Sequence, residues 1–192
     1  MLLFQHDYIP EETFFNFLSK RKGLLDWVSI CWWEPTLQSD LYDFAKKIKQ
    51  MGFLVKLDTN GRDVPIVEKL IQDRLLDYIA IDLKNTPEKY EKTIGVTQTK
   101  KFFDEYQRLF KLLAKSGVEY EYRTTLVKGL HTLADVEAMA KYIEGAQHYY
   151  LQNYIWGNTL DPNFWGQSFD DDELEEMKKV ASQYVQHCDI RK

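Results

Sequence analysis

The sequence predicts an α/β fold built on parallel strands, and three observations carry that prediction. Short apolar, β-prone runs such as Trp27–Cys31, Phe53–Leu57 and Asp77–Leu83 alternate with longer amphipathic segments, the pattern of strand–helix–strand units around a parallel sheet. Charged and amide residues gather where these strands end, at Glu34, Asp58, Asn60, Asp82, Lys84, Arg123 and Gln152. That is the end at which parallel α/β proteins hold their ligands. Five strands are legible, short of the eight that close a barrel, so the expected architecture is an open, TIM-like partial (β/α) barrel in one domain over residues 1–192.

Each element has its own local reason. Pro10-Glu11-Glu12 opens a helix carrying Phe14, Phe15, Phe17 and Leu18, because proline and acids suit a first turn. The first strand, Trp27–Cys31, ends abruptly in Glu34-Pro35, and a helix from about Asp40 to Gln50 stops at Gly52, a natural C-terminal cap. Phe53–Leu57 is the second strand and runs into Asp58-Thr59-Asn60-Gly61, which is turn chemistry. A helix over Val64–Leu75 tolerates Pro65 in its first turn. After the third strand, Asp77–Leu83, a polar stretch with a short helix at Glu88–Lys92 leads to the amphipathic helix Lys101–Ser116. Glu119–Val127 is the fourth strand, Leu133–Ile143 a helix and Gln147–Tyr154 the fifth strand. A Gly-, Asn- and Pro-rich loop over 156–167, a last helix over Asp170–Gln186 and a short tail complete the chain.

Composition narrows the function classes. The 192 residues are 44% hydrophobic and 29% charged, which fits a globular domain with a core. A net charge of −5 with dispersed basic residues gives no dedicated nucleic-acid surface. No apolar run approaches the length of a membrane span, the N-terminal residues have no leader pattern, and a cytoplasmic location is the default expectation. Cys31 and Cys188 lie too far apart for a spacing-based metal or redox motif, and Cys31 is expected in the core.

Strand periodicity sorts the polar residues. Side chains alternate faces, so Lys56, Asp58 and Asn60 align, as do Ala80, Asp82 and Lys84; Glu119, Glu121, Arg123 and Thr125; and Gln152 and Tyr154. One reading is a set of internal ion pairs, Asp82 with Lys84 and Glu121 with Arg123. The other is a polar small-molecule site with cationic and anionic handles, suited to a zwitterion bearing hydroxyls. Buried charges are expensive unless paired or used, which favours the second. A cofactor-free barrel enzyme using Lys84 as a Schiff-base amine is a further possibility, although no phosphate-binding glycine loop accompanies it.

Glu34-Pro35-Thr36-Leu37, Asp58-Thr59-Asn60-Gly61 and Asp82-Leu83-Lys84, each at a strand end, resemble the radical S-adenosylmethionine (SAM) enzymes, above all the glycyl-radical-enzyme activases. Tyr122-Arg123-Thr124-Thr125, Gly129-Leu130-His131-Thr132, Leu151-Gln152 and Gly157-Asn158-Thr159-Leu160-Asp161-Pro162 are similar to the anaerobic ribonucleoside-triphosphate reductase activating proteins. The resemblance implies a partial barrel that binds SAM and a [4Fe–4S] cluster. It also implies a glycyl-radical enzyme as partner, here the anaerobic reductase, and a reductant such as flavodoxin or ferredoxin. By motif, Glu34 would help hold the SAM amino group, Asp82 would bond the ribose hydroxyls and Lys84 the SAM carboxylate. Trp32 and Trp33 stand where the family's backbone lies against SAM and would fill the methionine pocket or distort the turn. Asp58 and Thr59 form a supporting or cation-binding turn, and Arg123 and Tyr154 complete the cofactor set.

The family's C-x-x-x-C-x-x-C does not occur in these residues, and Cys31 with Cys188 cannot replace it. The expectation is an N-terminally truncated barrel whose first strand and cluster loop precede Met1, so that the chain as written binds no cluster and is inactive. A barrel remnant that docks a glycyl-radical enzyme without chemistry is the alternative. Trp32 and Trp33 replace the family's paired glycines, and Trp27, Trp156 and Trp165 are further candidates for glycine positions. One codon, UGA, read as tryptophan in one genetic code and as glycine in another, would account for all of them.

Overall fold

The computed structural model describes residues 9–31, 33–155 and 164–191. Strands β1 (Trp27–Ile30), β2 (Leu54–Thr59), β3 (Tyr78–Asp82), β4 (Glu119–Leu126), β5 (His148–Asn153) and β6 (His187–Arg191) form one sheet in sequential order. Every neighbouring pair is parallel, and β1 does not pair with β6, so the sheet stays open. Parallel neighbours need crossover connections. These are supplied by helices α2 (Leu41–Gln50), α3 (Val64–Gln72), α4 (Tyr90–Ile94), α5 (Lys100–Ser116), α6 (Leu133–Tyr142) and α7 (Asp171–Ala181), with α1 (Glu11–Ser19) preceding the sheet.

One face of the sheet makes the core. Val55, Leu57, Ile79, Ile81, Tyr122, Tyr149 and Leu151 are fully buried there, together with Ile48, Val67, Leu109, Val136 and Leu174 from the helices. Burying a large apolar side chain of this kind contributes roughly 1.5–3 kcal/mol, which sets the strand register. The opposite face carries the alternate residues, Lys56 and Asp58, Tyr78 and Asp82, Glu121 and Arg123, and is the polar side. Helix starts follow their caps. Thr132 with Asp135, and Asp170 with Glu173, close reciprocal capping boxes on α6 and α7, while Asp63 caps α3 ahead of Pro65.

Three expectations are corrected. The tail is a sixth strand, because α7 ends at Ala181 and not Gln186, freeing His187–Arg191 to pair with β5. The short helix before α5 is Tyr90–Ile94, shifted from Glu88–Lys92. Cys31 is exposed rather than core, since alternation along β1 puts it with the exposed Trp27 and Ser29; Cys188 is the buried cysteine.

Candidate functional site

Glu34 follows β1 and caps the 3-10 turn Pro35–Leu37. Its carboxylate is buried and holds two loops together. Oε1 accepts from the Thr36 amide (3.1 Å), the Thr36 hydroxyl (2.5 Å) and the Thr59 hydroxyl (2.7 Å), and Oε2 accepts from the Asn60 amide at 2.6 Å. Thr59 Oγ1 in turn accepts from the Gly61 amide at 3.0 Å. Gly61 has φ 72°, and a Cβ there would lie 2.6 Å from the Tyr106 ring, so the turn after β2 admits only glycine at that place. A carboxylate offers about four acceptor positions; Oε2, with one bond, is the side of Glu34 with capacity for a ligand.

Asp58, Asp82, Arg123 and Lys84 come together on the polar face. Arg123 Nη1 donates to Asp58 Oδ2 at 2.9 Å, while its Nη2 and Nε reach Asp82 Oδ1 at 3.0 and 3.2 Å. Lys56 donates to Asp58 Oδ1 at 2.6 Å and Lys84 to Asp82 Oδ2 at 2.9 Å. The register explains this meeting: Asp82 lies opposite Arg123, and Asp58 is one strand further over, opposite Ala80. Burial alone would lower the Arg123 pKa, but Asp82 and Asp58 overrule it and raise it. Three cations face two carboxylates, which leaves a surplus positive charge beside Lys84, whose side chain is 39% exposed. The cluster therefore suits a ligand that brings its own carboxylate.

Of the two ion pairs expected from the sequence, Asp82–Lys84 forms, whereas Glu121 does not pair with Arg123. Glu121, 1% exposed, is held by Arg191 through two bonds of 2.7 and 2.6 Å and by the Tyr78 hydroxyl at 2.6 Å. Arg191 also lies 3.5 Å over the Tyr150 ring. Burial would raise the Glu121 pKa, but Arg191 and Tyr78 bring it below its ordinary value.

The remaining expected residues are placed apart or not described. Trp33 is 79% exposed with φ 50°. Tyr154 follows β5; its ring packs edge-on against Phe164, and its hydroxyl is buried without a hydrogen-bond partner among the described residues. Among the described residues no hydrogen bond joins that side chain to the Asp58–Lys84 cluster. Trp32, Trp156 and the 157–162 motif lie outside the described residues. Sequence reasoning missed Tyr106 and gave no role to Thr124 and His131, which stood only within quoted motifs; the three bond to the main chain of Asp82, Leu83 and Lys84. Beyond those motifs, their sequence signal is a polar group on an otherwise apolar helix, strand or loop.

The family model for the radical SAM superfamily matches residues 12–143. The chain belongs to the radical SAM superfamily. Two relatives from Methanocaldococcus jannaschii carry the name glycyl-radical enzyme activating enzyme. One is 32% identical over 161 residues, covering 82% of this chain and 67% of its own length. The other is 28% identical over 162 residues, covering 84% and 61%. The chain thus spans about two thirds of the length of these curated relatives. Among solved structures, a domain of a pyruvate-formate lyase-activating enzyme from Bacteroides vulgatus matches with a TM-score of 0.64 at 19% identity, over 86% of this chain and 98% of that one. SuiB of Streptococcus suis matches with a TM-score of 0.74 at 13% identity, over 98% and 44%. At these identities the structural matches show the fold alone, a radical SAM partial barrel.

The radical SAM family implies SAM and a [4Fe–4S] cluster, and the two fit these residues differently. Acidic, cationic and main-chain donor groups at the strand ends match a zwitterionic nucleoside. The cluster needs three thiolates, while the chain has two cysteines, one on β6 and one just past β1 at the far edge of the sheet. These 192 residues do not fit it, and no step through it is assigned to them.

Proposed function

We propose that this chain is the SAM-binding barrel of an activating enzyme for a glycyl-radical enzyme, with an anaerobic ribonucleoside-triphosphate reductase as partner and a flavodoxin or ferredoxin as reductant. The carrying observation is the Asp58–Arg123–Asp82–Lys84 cluster at the strand ends of a radical SAM fold. The names of the archaeal relatives support the partner class. SAM supplies the radical precursor when bound, and the protein's part is orientation. Lys84, freed from Asp82, takes the SAM carboxylate. Asp82, still held by Arg123, accepts from the ribose hydroxyls. Glu34 Oε2 accepts from the amino group, and Asp58 and Thr59 fix the turn beneath it. Tyr154, whose buried hydroxyl has no partner among the described residues, joins this set on its motif position.

For the chain as written, the Trp33 indole at the turn before Glu34 favours a second reading, a barrel that docks its partner without chemistry. Titration calorimetry separates the two. In a Trp32→Gly/Trp33→Gly double variant SAM should bind, and adding Lys84→Met should weaken binding by about tenfold or more, the value of one lost charge-assisted bond. Undiminished binding with Lys84→Met would refute the assigned role. Co-purification of the anaerobic reductase with the tagged chain checks the partner, and its absence would remove that assignment.

A further inference from the structure

We propose that the tryptophans of this chain stand at glycine positions and are inserted as glycine in the cell that makes the protein. Trp33 has φ 50°, in the left-handed region, where glycine is at home and a bulky side chain is an outlier. Only Arg74 shares that conformation among the described non-glycine residues, whereas seven glycines adopt it. The three described tryptophans are also all exposed: Trp27 by 47%, Trp33 by 79% and Trp165 by 64%. Tryptophan is normally among the most buried side chains by area. The other large aromatics of this chain behave normally, Phe17 being the one exposed residue among all described phenylalanines and tyrosines. Exposed aliphatic side chains occur as well, at Ile9, Leu24, Leu37, Val96 and Ile155, but among the described aromatic residues exposure gathers on tryptophan. A single reassigned codon, UGA, would account for the left-handed backbone at Trp33 and for the exposure shared by the described tryptophans.

The test is independent of any ligand. The tryptic peptide 23–46 of the protein isolated from its own source holds positions 27, 32 and 33. Mass spectrometry should show glycine at position 33, and the gene should carry UGA at that codon. Tryptophan at position 33 overturns the proposal.

Three consecutive carbonyls of the Asp82–Lys84 segment are each held by a different side chain. The Tyr106 hydroxyl of α5 donates to Asp82 O at 2.9 Å, the Thr124 hydroxyl of β4 to Leu83 O at 2.6 Å, and His131 Nε2 to Lys84 O at 2.9 Å. The Val127 amide donates to His131 Nδ1 at 3.1 Å, which leaves the proton on Nε2. We infer that Tyr106, Thr124 and His131 are positioning residues that fix the direction of the Asp82 and Lys84 side chains; their service to SAM rests on the function proposed above, but their clamp does not. Because the Thr124 proton goes to Leu83 O, the Tyr149 hydroxyl must be the donor in its 2.8 Å contact with Thr124. This gives a control.

Amide hydrogen exchange is read at Leu83, whose amide bonds to Arg123 O at 2.8 Å. Thr124→Val should speed exchange there about tenfold, the value of one net hydrogen bond. Thr124→Ser should restore the slow rate, and Tyr149→Phe should leave it slow. Equal exchange in Thr124→Val and the parent, or equal acceleration in Tyr149→Phe, overturns the clamp. If the clamp holds but SAM affinity is unchanged in Thr124→Val, it is the SAM-site reading that fails.

Discussion

Two carboxylate–guanidinium clusters share the polar face of one sheet, and they differ in a way that separates structure from site. Glu121 with Arg191 and Tyr78 is closed: one buried anion, one bidentate cation and one hydroxyl, with the charges matched. Asp58 and Asp82 with Arg123, Lys56 and Lys84 is open: its cations outnumber its anions, and Lys84 reaches solvent. A closed cluster ties strands together, here β3, β4 and β6. An open one has charge to offer a ligand. The same residue types thus do different work, and charge balance decides which, since Arg191 at 40% is as exposed as Lys84 at 39%.

Breaking the closed cluster should have the largest effect on stability. Arg191→Met leaves the Glu121 carboxylate, 1% exposed, without its counter-ion and should cost about 3 kcal/mol in chemical denaturation at pH 7, the low end for a broken buried pair. The sign of the pH dependence follows. The folded pKa of Glu121 is lowered, so its stabilisation is complete above the unfolded carboxyl pKa of about 4.3 and is lost as pH falls through the folded value. The acid limb of the stability curve should flatten in Glu121→Gln; an unchanged limb would contradict the tie.

Opening the other cluster should cost less stability and more binding. Arg123→Met should destabilise by about 2 kcal/mol, because the partners are partly hydrated, and should weaken SAM binding through misdirected Asp82. A loss equal to that of Arg191→Met with binding intact would erase the distinction between the clusters. His131 sharpens it. Burial lowers its pKa, outweighing the bond to Lys84 O, so the neutral ring contributes stability above the unfolded pKa of about 6.5 that is lost as pH falls below it. His131→Gln should remove that slope in denaturation curves measured from pH 7 downwards. The smallest effect is a gain: Trp33→Gly should stabilise by about 1 kcal/mol by relieving a left-handed backbone, seen as a raised denaturation midpoint.

Much of this was legible because strand alternation is strict. Ile79 and Ile81 against Asp82 and Lys84, or Tyr122 against Arg123, sort onto opposite faces by counting, so the open cluster could be assembled before any coordinates. Glu121 was misassigned to Arg123 for the same reason in reverse. Both face the same way on one strand, but the better partner, Arg191, is 70 residues away, on a strand too short and too polar to stand out. Glu34 stood out as a strand-end carboxylate, yet its bonds to Thr36, Thr59 and Asn60 depend on how two turns meet, which periodicity does not encode. The three carbonyl clamps were invisible because their acceptors are main chain.

The most direct test of the account is an amide NMR titration of the Trp32→Gly/Trp33→Gly variant with SAM. Shifts should concentrate at Glu34, Asp58–Gly61, Asp82–Lys84 and Arg123, and spare Glu121 and Arg191. Shifts centred on Glu121 and Arg191, or no shifts at saturating SAM, would contradict the assignment of the open cluster as the ligand site.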